Sequence, residues 1–114
     1  MTAKKVEQSW GHEVHWAKTK KYLGKIIHIN RGQTTPRGFH ETKEKTIFVL
    51  QGILILEIGS DESKNNKPEA FKVLETGETY HIKPGKIHQF TAPREGFVRL
   101  LETSTPEEND LVML

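Results

Sequence analysis

The chain has 114 residues, of which 34% are hydrophobic and 28% charged, with a formal net charge of +2. One domain's length, no strongly basic balance and no cysteine exclude a second large core, a nucleic-acid partner read from charge, a disulfide framework and a thiolate metal site. No apolar run approaches the roughly 18 residues of a membrane span, and the first twenty residues lack the apolar block of a secretion signal, so a soluble cytoplasmic protein without membrane association is expected.

Ile and Leu together number 18, enough for a folded core. They arrive in strand-length bursts, not in a helical stripe. In chain order, residues 1–8 read as a loose N-terminal arm, followed by bursts at 22–30, 46–50, 53–58, 70–75, 79–82, 88–90 and 97–102. The bursts are rich in Ile, Val, Phe and Thr, and Gly or Pro stands between nearly all of them, the punctuation of an antiparallel all-β protein. Gln51-Gly52 between two apolar runs predicts a tight hairpin. The polar stretch 59–69 reads as a flexible hairpin loop within one domain spanning 1–114. The tail 105–114 suits one helical turn or a last edge strand.

Two spacings point to a site. From Gly77 the chain reads GETYHIKPGKIH, with Gly85 eight and His88 eleven residues on. This resembles the second motif of the cupin superfamily, G-x5-P-x-G-x2-H-x3-N, with the proline one place late at Pro84 and Ala92 at the final position. Counting back from Gly52 through the first cupin motif, G-x5-H-x-H-x3,4-E-x6-G, His40 takes the second histidine position, Gly38 the first, and Lys45 that of the glutamate. The flanks SWGHEVHW, KIIHINRG and LLETSTPEENDLV are similar to the cupin domain of type II mannose-6-phosphate isomerases and their short stand-alone relatives. The resemblance implies a jelly-roll β-barrel with a pocket in its mouth, often holding a divalent ion (Mn, Fe, Zn, Ni or Co) on three His and one Glu. It also implies that His40 and His88 converge.

In this chain the matching metal-ligand candidates are His40 and His88, with Glu41 as the carboxylate that replaces the missing glutamate. Lys45 cannot face a bound ion: an ammonium about 4 Å from a divalent cation costs roughly 8 kcal/mol at an effective dielectric near 20. Either it turns outward beside Glu41 or Glu44, or it occupies the metal's place and offers its charge to an anionic ligand. Strand alternation puts Glu44 on the opposite face from Lys45, Ile47 and Val49, and Gln89 away from His88. Glu102, Tyr80, Phe48 and Phe90 are expected to line the barrel, with Glu102 as a candidate catalytic base.

Plainer roles suit the rest. His12, His15 and His28 read as exposed or hydrogen-bonded residues, His81 as facing either side, Trp10 and Trp16 as core, and Lys18, Lys20, Lys21 and Lys25 as a solvated strand edge. Three functions follow: a small cupin binding a metal or a sugar-class small-molecule ligand, a metal-dependent sugar-phosphate isomerase, or a metal-free cupin serving as a structural dimer whose pocket Lys45 closes with Glu41 or Glu44. A homodimer is expected in each case.

Overall fold

The computed structural model describes residues 2–59 and 69–114. The loop expected at 59–69 lies mostly outside the described residues. The described residues form eleven strands: β1 (Lys4–Gln8), β2 (Gly11–Lys18), β3 (Leu23–Ile29), β4 (Gly38–His40), β5 (Lys45–Gln51), β6 (Ile53–Gly59), β7 (Ala70–Glu75), β8 (Thr79–Ile82), β9 (Ile87–Thr91), β10 (Val98–Ser104) and β11 (Leu111–Met113). They form a six-stranded sheet, β1-β2-β3-β10-β5-β8, and a five-stranded sheet, β11-β4-β9-β6-β7. All pairings are antiparallel, as in a jelly roll. Among the described residues no helix is long and apolar enough to cross a membrane.

Alternation builds the core. Ile47 and Val49 on β5, Val98 and Leu100 on β10, and Ile27 and Ile29 on β3 point inward from one sheet. Leu54, Leu56 and Ile58 on β6 and Phe90 on β9 meet them from the other. The β5–β6 hairpin turns at Gly52, whose φ of 91° favours glycine and whose missing side chain leaves room for the Phe97 carbonyl, 2.5 Å from where a Cβ would sit.

Of the two alternatives for the tail, the edge strand is the one formed, as β11 paired with β4. Three readings of the sequence are corrected here. Residues 4–8 are not a loose arm but an edge strand paired with β2. Trp10 is buried in the core, but Trp16 is 46% exposed, displaced to the outside where β2 bulges between His15 and Ala17, with its indole against Gly24. Phe48 does not line the barrel: it sits at odd spacing from Ile47 and Val49, so the pleat turns it to the outer face.

Candidate functional site

The inward face of the six-stranded sheet changes character toward one end. On β5 the alternation that buries Val49 and Ile47 goes on to bury Lys45, and on β10 the one that buries Val98 and Leu100 goes on to bury Glu102. Pairing sets Glu102 opposite Ile47 on one side and Lys25 on the other. Three charged residues thus replace apolar ones where the barrel opens. Across the interior, Gly38 on β4 pairs with His88 on β9, and the Gly85 N–H donates to the His40 carbonyl at 2.7 Å, which draws the two motif segments together.

The result is a cavity of about 570 Å³ whose walls include His40, His88, Lys45, Glu102, Lys43, Phe90, Lys25, Glu13 and His15. The His40 and His88 rings lie 5.7 Å apart between centroids, inclined by 26°. Lys45 turns inward. Its Nζ is 3.2 Å from Glu102 Oε1, 3.3 Å from His40 Nε2, and 5.4 Å from the centre of the Phe90 ring. Lys25 pairs with Glu13 at 3.4 Å, and the same carboxylate oxygen is 2.8 Å from His15 Nε2.

Both histidines are fixed in one tautomer. The His88 Nδ1–H donates to the Lys86 carbonyl at 2.9 Å, and the His40 Nδ1–H to Asp110 Oδ1 at 2.7 Å. Each therefore keeps its Nε2 lone pair for another partner, which for His40 is the Lys45 ammonium. Burial, joined by the Lys45 charge, lowers the pKa of His40, against the pull of Asp110. Burial, with Lys45 and His40 adding to it, drives His88 down to about 3 despite the Lys86 carbonyl. Glu102 is held below the ordinary carboxylate range: burial works to raise it, but Lys45, Lys25 and Lys43 together outweigh burial.

A pH dependence of stability follows. Unfolded His88 takes its proton near 6.5, whereas folded His88 refuses it down to about 3. Its contribution is complete above pH 6.5 and is lost as pH falls through that window, at up to about 1.4 kcal/mol per pH unit for one proton. Urea unfolding between pH 7 and 5, above the carboxylate range, is expected to show this slope in the natural chain and a shallower one in His88→Asn. Equal slopes would refute the assignment.

Asp110 is a residue that sequence reasoning missed. Its Oδ2 accepts from the Thr42 N–H at 3.1 Å, the Thr42 hydroxyl at 3.0 Å and the Lys43 N–H at 2.8 Å, so it pins the turn after β4 while orienting His40. Burial acts to raise its carboxyl, yet these donors and His40 hold it well below the usual carboxylate range. Asn109 before it adopts φ of 62°, a conformation that asparagine tolerates better than most residues, and turns the chain into β11.

Several expectations are not met. Glu41 is exposed and outside the cavity walls, so it is not brought to the histidines. Neither Glu41 nor Glu44 pairs with Lys45: that place is taken by Glu102, while Glu44 pairs with His81 at 2.6 Å on the outside. Tyr80 packs against the core but not on the cavity. Lys25 lines the cavity instead of a solvated edge. The plain reading does hold for His15, hydrogen-bonded to Glu13 although it also lines the cavity, and for His28, hydrogen-bonded to Arg99 at 3.2 Å. His12 and His28 stack at 4.8 Å, and His28 on Phe97 at 4.7 Å, away from the cavity walls.

The donor set does not fit a divalent ion. An ammonium stands where the Nε2 lone pair of His40 points. Among the described residues no three His, Asp or Glu side chains are grouped to hold a metal. Nor is there space for the missing histidine: a Cβ on Gly38 would lie 2.2 Å from the Val112 carbonyl oxygen of β11.

Comparison with known proteins decides the family. The family model described as D-lyxose isomerase matches residues 10–111. The chain belongs to the D-lyxose isomerase family. No curated protein matches it in sequence. Among solved structures it is similar to KdgF from Halomonas sp., with 16% identity, a TM-score of 0.76, and 96% of this chain and 92% of that one covered. The polyketide cyclase RemF from Streptomyces resistomycificus gives 18% identity, a TM-score of 0.79, and coverage of 98% and 80%. An RmlC-like cupin from Shewanella frigidimarina gives 16%, 0.74, and 95% and 87%. At such identities the likeness speaks to fold, and the fold is the cupin jelly roll read from the two motifs. The D-lyxose isomerase match supports the cupin superfamily; it does not single out the mannose-6-phosphate isomerases that the flanks resemble.

Proposed function

We propose that this member of the D-lyxose isomerase family binds a small sugar-class ligand in the barrel mouth, held by His40, His88, Lys45 and Glu102, and that it does so through these side chains and not through a resident divalent ion. The observation that carries the reading is the convergence of two neutral imidazoles, an ammonium and an ionised carboxylate on one cavity of about 570 Å³. Hydroxyl groups need both donors and acceptors. Lys45 donates, Glu102 accepts, the His88 Nε2 lone pair accepts, and Phe90 offers an apolar ring to a sugar's C–H face. In calorimetry, D-lyxose or D-lyxose 5-phosphate is expected to bind the natural chain and to bind His40→Ala/His88→Ala at least tenfold more weakly. Absence of binding by the natural chain, or equal binding by the double variant, overturns the reading.

The family match favours a second reading, aldose–ketose exchange in the same cavity. That reaction moves a proton between the carbonyl carbon and its neighbour while the carbonyl oxygen gains charge. In this reading Glu102 takes and returns the proton and Lys45 meets the oxygen. Conversion of D-lyxose to its 2-ketose, followed by NMR with chelator present, tests it; a Glu102→Gln variant as active as the natural chain excludes Glu102 as base. The homodimer is proposed likewise, and light scattering reads it as a doubled mass.

A further inference from the structure

Among the described residues one cavity cation, Lys43, has no ion-pair partner of its own, although Glu102 and Asp110 act on it from farther away. Lys43 is 6% exposed and lines the cavity, yet among the described residues no carboxylate lies within ion-pair distance of its ammonium. Lys43 buries most of its side chain while its ammonium is not among the fully buried atoms without a partner, so a largely buried lysine presents a charge without an ion pair to the cavity. The nearby carboxylates are already engaged. Glu102 serves Lys45 at 3.2 Å. Glu13 serves Lys25 at 3.4 Å. Asp110 spends its oxygens on His40, Thr42 and the Lys43 backbone N–H.

Lys43 is also held in place. Two residues before Lys45, it prolongs the alternation of Lys45, Ile47 and Val49 beyond the end of β5, so its side chain points inward as theirs do, and the Asp110 contact fixes its backbone. Burial, joined by the charges of Lys25 and Lys45, lowers its pKa against the pull of Glu102 and Asp110. Lys4, Lys18, Lys25, Lys43 and Lys45 line the cavity against Glu13, Glu102 and Glu108, and this excess of lysines leaves a positive potential that a ligand's negative charge would balance.

We infer that the ligand is an anion, a sugar bearing a carboxylate or a phosphate, whose acidic group sits on the Lys43 ammonium with Lys45 beside it. The inference deepens the sugar-binding reading, because it concerns the same cavity, but it rests on a different residue. An acidic group at Lys43 leaves the ligand's hydroxyl-bearing carbons toward His40, His88 and Glu102. Lys43 is thus a specificity-determining residue: it separates charged from neutral sugars of the same skeleton.

The test is calorimetry on the full chain at low and high salt with D-lyxose, D-lyxonate, D-lyxose 5-phosphate and inorganic phosphate. At least one sugar anion is expected to bind tenfold or more tightly than D-lyxose, with the preference weakened by salt; whether the carboxylate or the phosphate wins identifies the source of the charge. Lys43→Met is expected to lose that preference while D-lyxose affinity changes less than twofold, and Lys43→Arg to keep most of it. Removing a charge that has no ion pair is also expected to raise the Tm of unliganded Lys43→Met, so the variant will be folded; a fall in its Tm counts against the inference. Anion preference unchanged in Lys43→Met, or D-lyxose within twofold of both anions in the natural chain, overturns it. The two readings fail separately. D-lyxose binding without anion preference sinks only this one. Phosphate raising the Tm of the natural chain but not of Lys43→Met, with no sugar bound, sustains the anion site and sinks the sugar reading.

Discussion

Replacing Lys45 by glutamate is expected to turn the cavity from one that repels divalent cations into one that holds them. The Lys45 ammonium sits 3.3 Å from His40 Nε2 and 3.2 Å from Glu102 Oε1, and the His88 ring is stacked 5.7 Å from that of His40. Those atoms surround the point that the Lys45 side chain fills. Exchanging it for a carboxylate removes a repulsion of about 8 kcal/mol between a single and a double charge at 4 Å, frees the His40 lone pair and leaves two imidazoles with two carboxylates, a donor set suited to Zn, Mn or Co. Without metal the variant should be less stable than the natural chain, since two carboxylates then face each other; metal should raise its Tm in proportion to occupancy. After incubation with Zn and desalting, about one ion per chain is expected on Lys45→Glu and less than about a tenth on the natural chain, read by elemental analysis. A folded variant that stays metal-free would show that the lysine is not what excludes the ion. Gly38→His, by contrast, should not create a site, because β11 occupies the space a side chain there would need.

The same polar lining explains which parts of the fold were legible. The apolar bursts at 22–30, 46–50, 53–58, 70–75, 79–82, 88–90 and 97–102 correspond to β3 and β5 to β10, strands that carry Ile, Val or Leu toward the core. By contrast, β2 was hidden as a strand because its inward face carries Glu13 and His15 in place of aliphatics, leaving only Val14 and Trp16 as large apolar residues, on its other face. Strand β1 lies at a sheet edge and is largely exposed. The convergence of His40 and His88 was readable because motif spacing encodes the β4–β9 pairing. Parity with Ile47 put Lys45 on the inner face, but the sequence left its outward turn open; the structure takes the inward alternative, and Lys43 shares that parity. Asp110 left no signal. Its role depends on the φ of Asn109 and on β11 lying beside β4, and local sequence specifies neither. Glu41 misled because the turn holding it is pinned by its backbone N–H to the Asp110 carbonyl oxygen and by Asp110 contacts to Thr42 and Lys43, which leaves its own side chain in solvent.

Glu102→Leu should be among the most damaging single substitutions in the chain. Glu102 is 3% exposed, and the lysines at 45, 25 and 43 all act on it. Truncating one member of a buried pair leaves the other charge without compensation, typically at ~3–5 kcal/mol, a large share of a domain's total stability of about 5–15 kcal/mol. For a chain of this size the fall in Tm is roughly 10–25 °C. Lys45→Met should cost less, because Lys25, directly opposite on β3, still faces Glu102. The double variant Lys45→Met/Glu102→Leu should recover much of the loss, since replacing both charges by apolar groups of similar volume removes the desolvation penalty along with the attraction. Urea unfolding of the four proteins gives the coupling energy directly. A Glu102→Leu variant within about 0.5 kcal/mol of the natural chain would mean that water already compensates these charges. Recovery in the double variant with loss of ligand binding would separate the two roles: an apolar pair satisfies the fold, and only the charged pair can exchange its partners for those of a sugar.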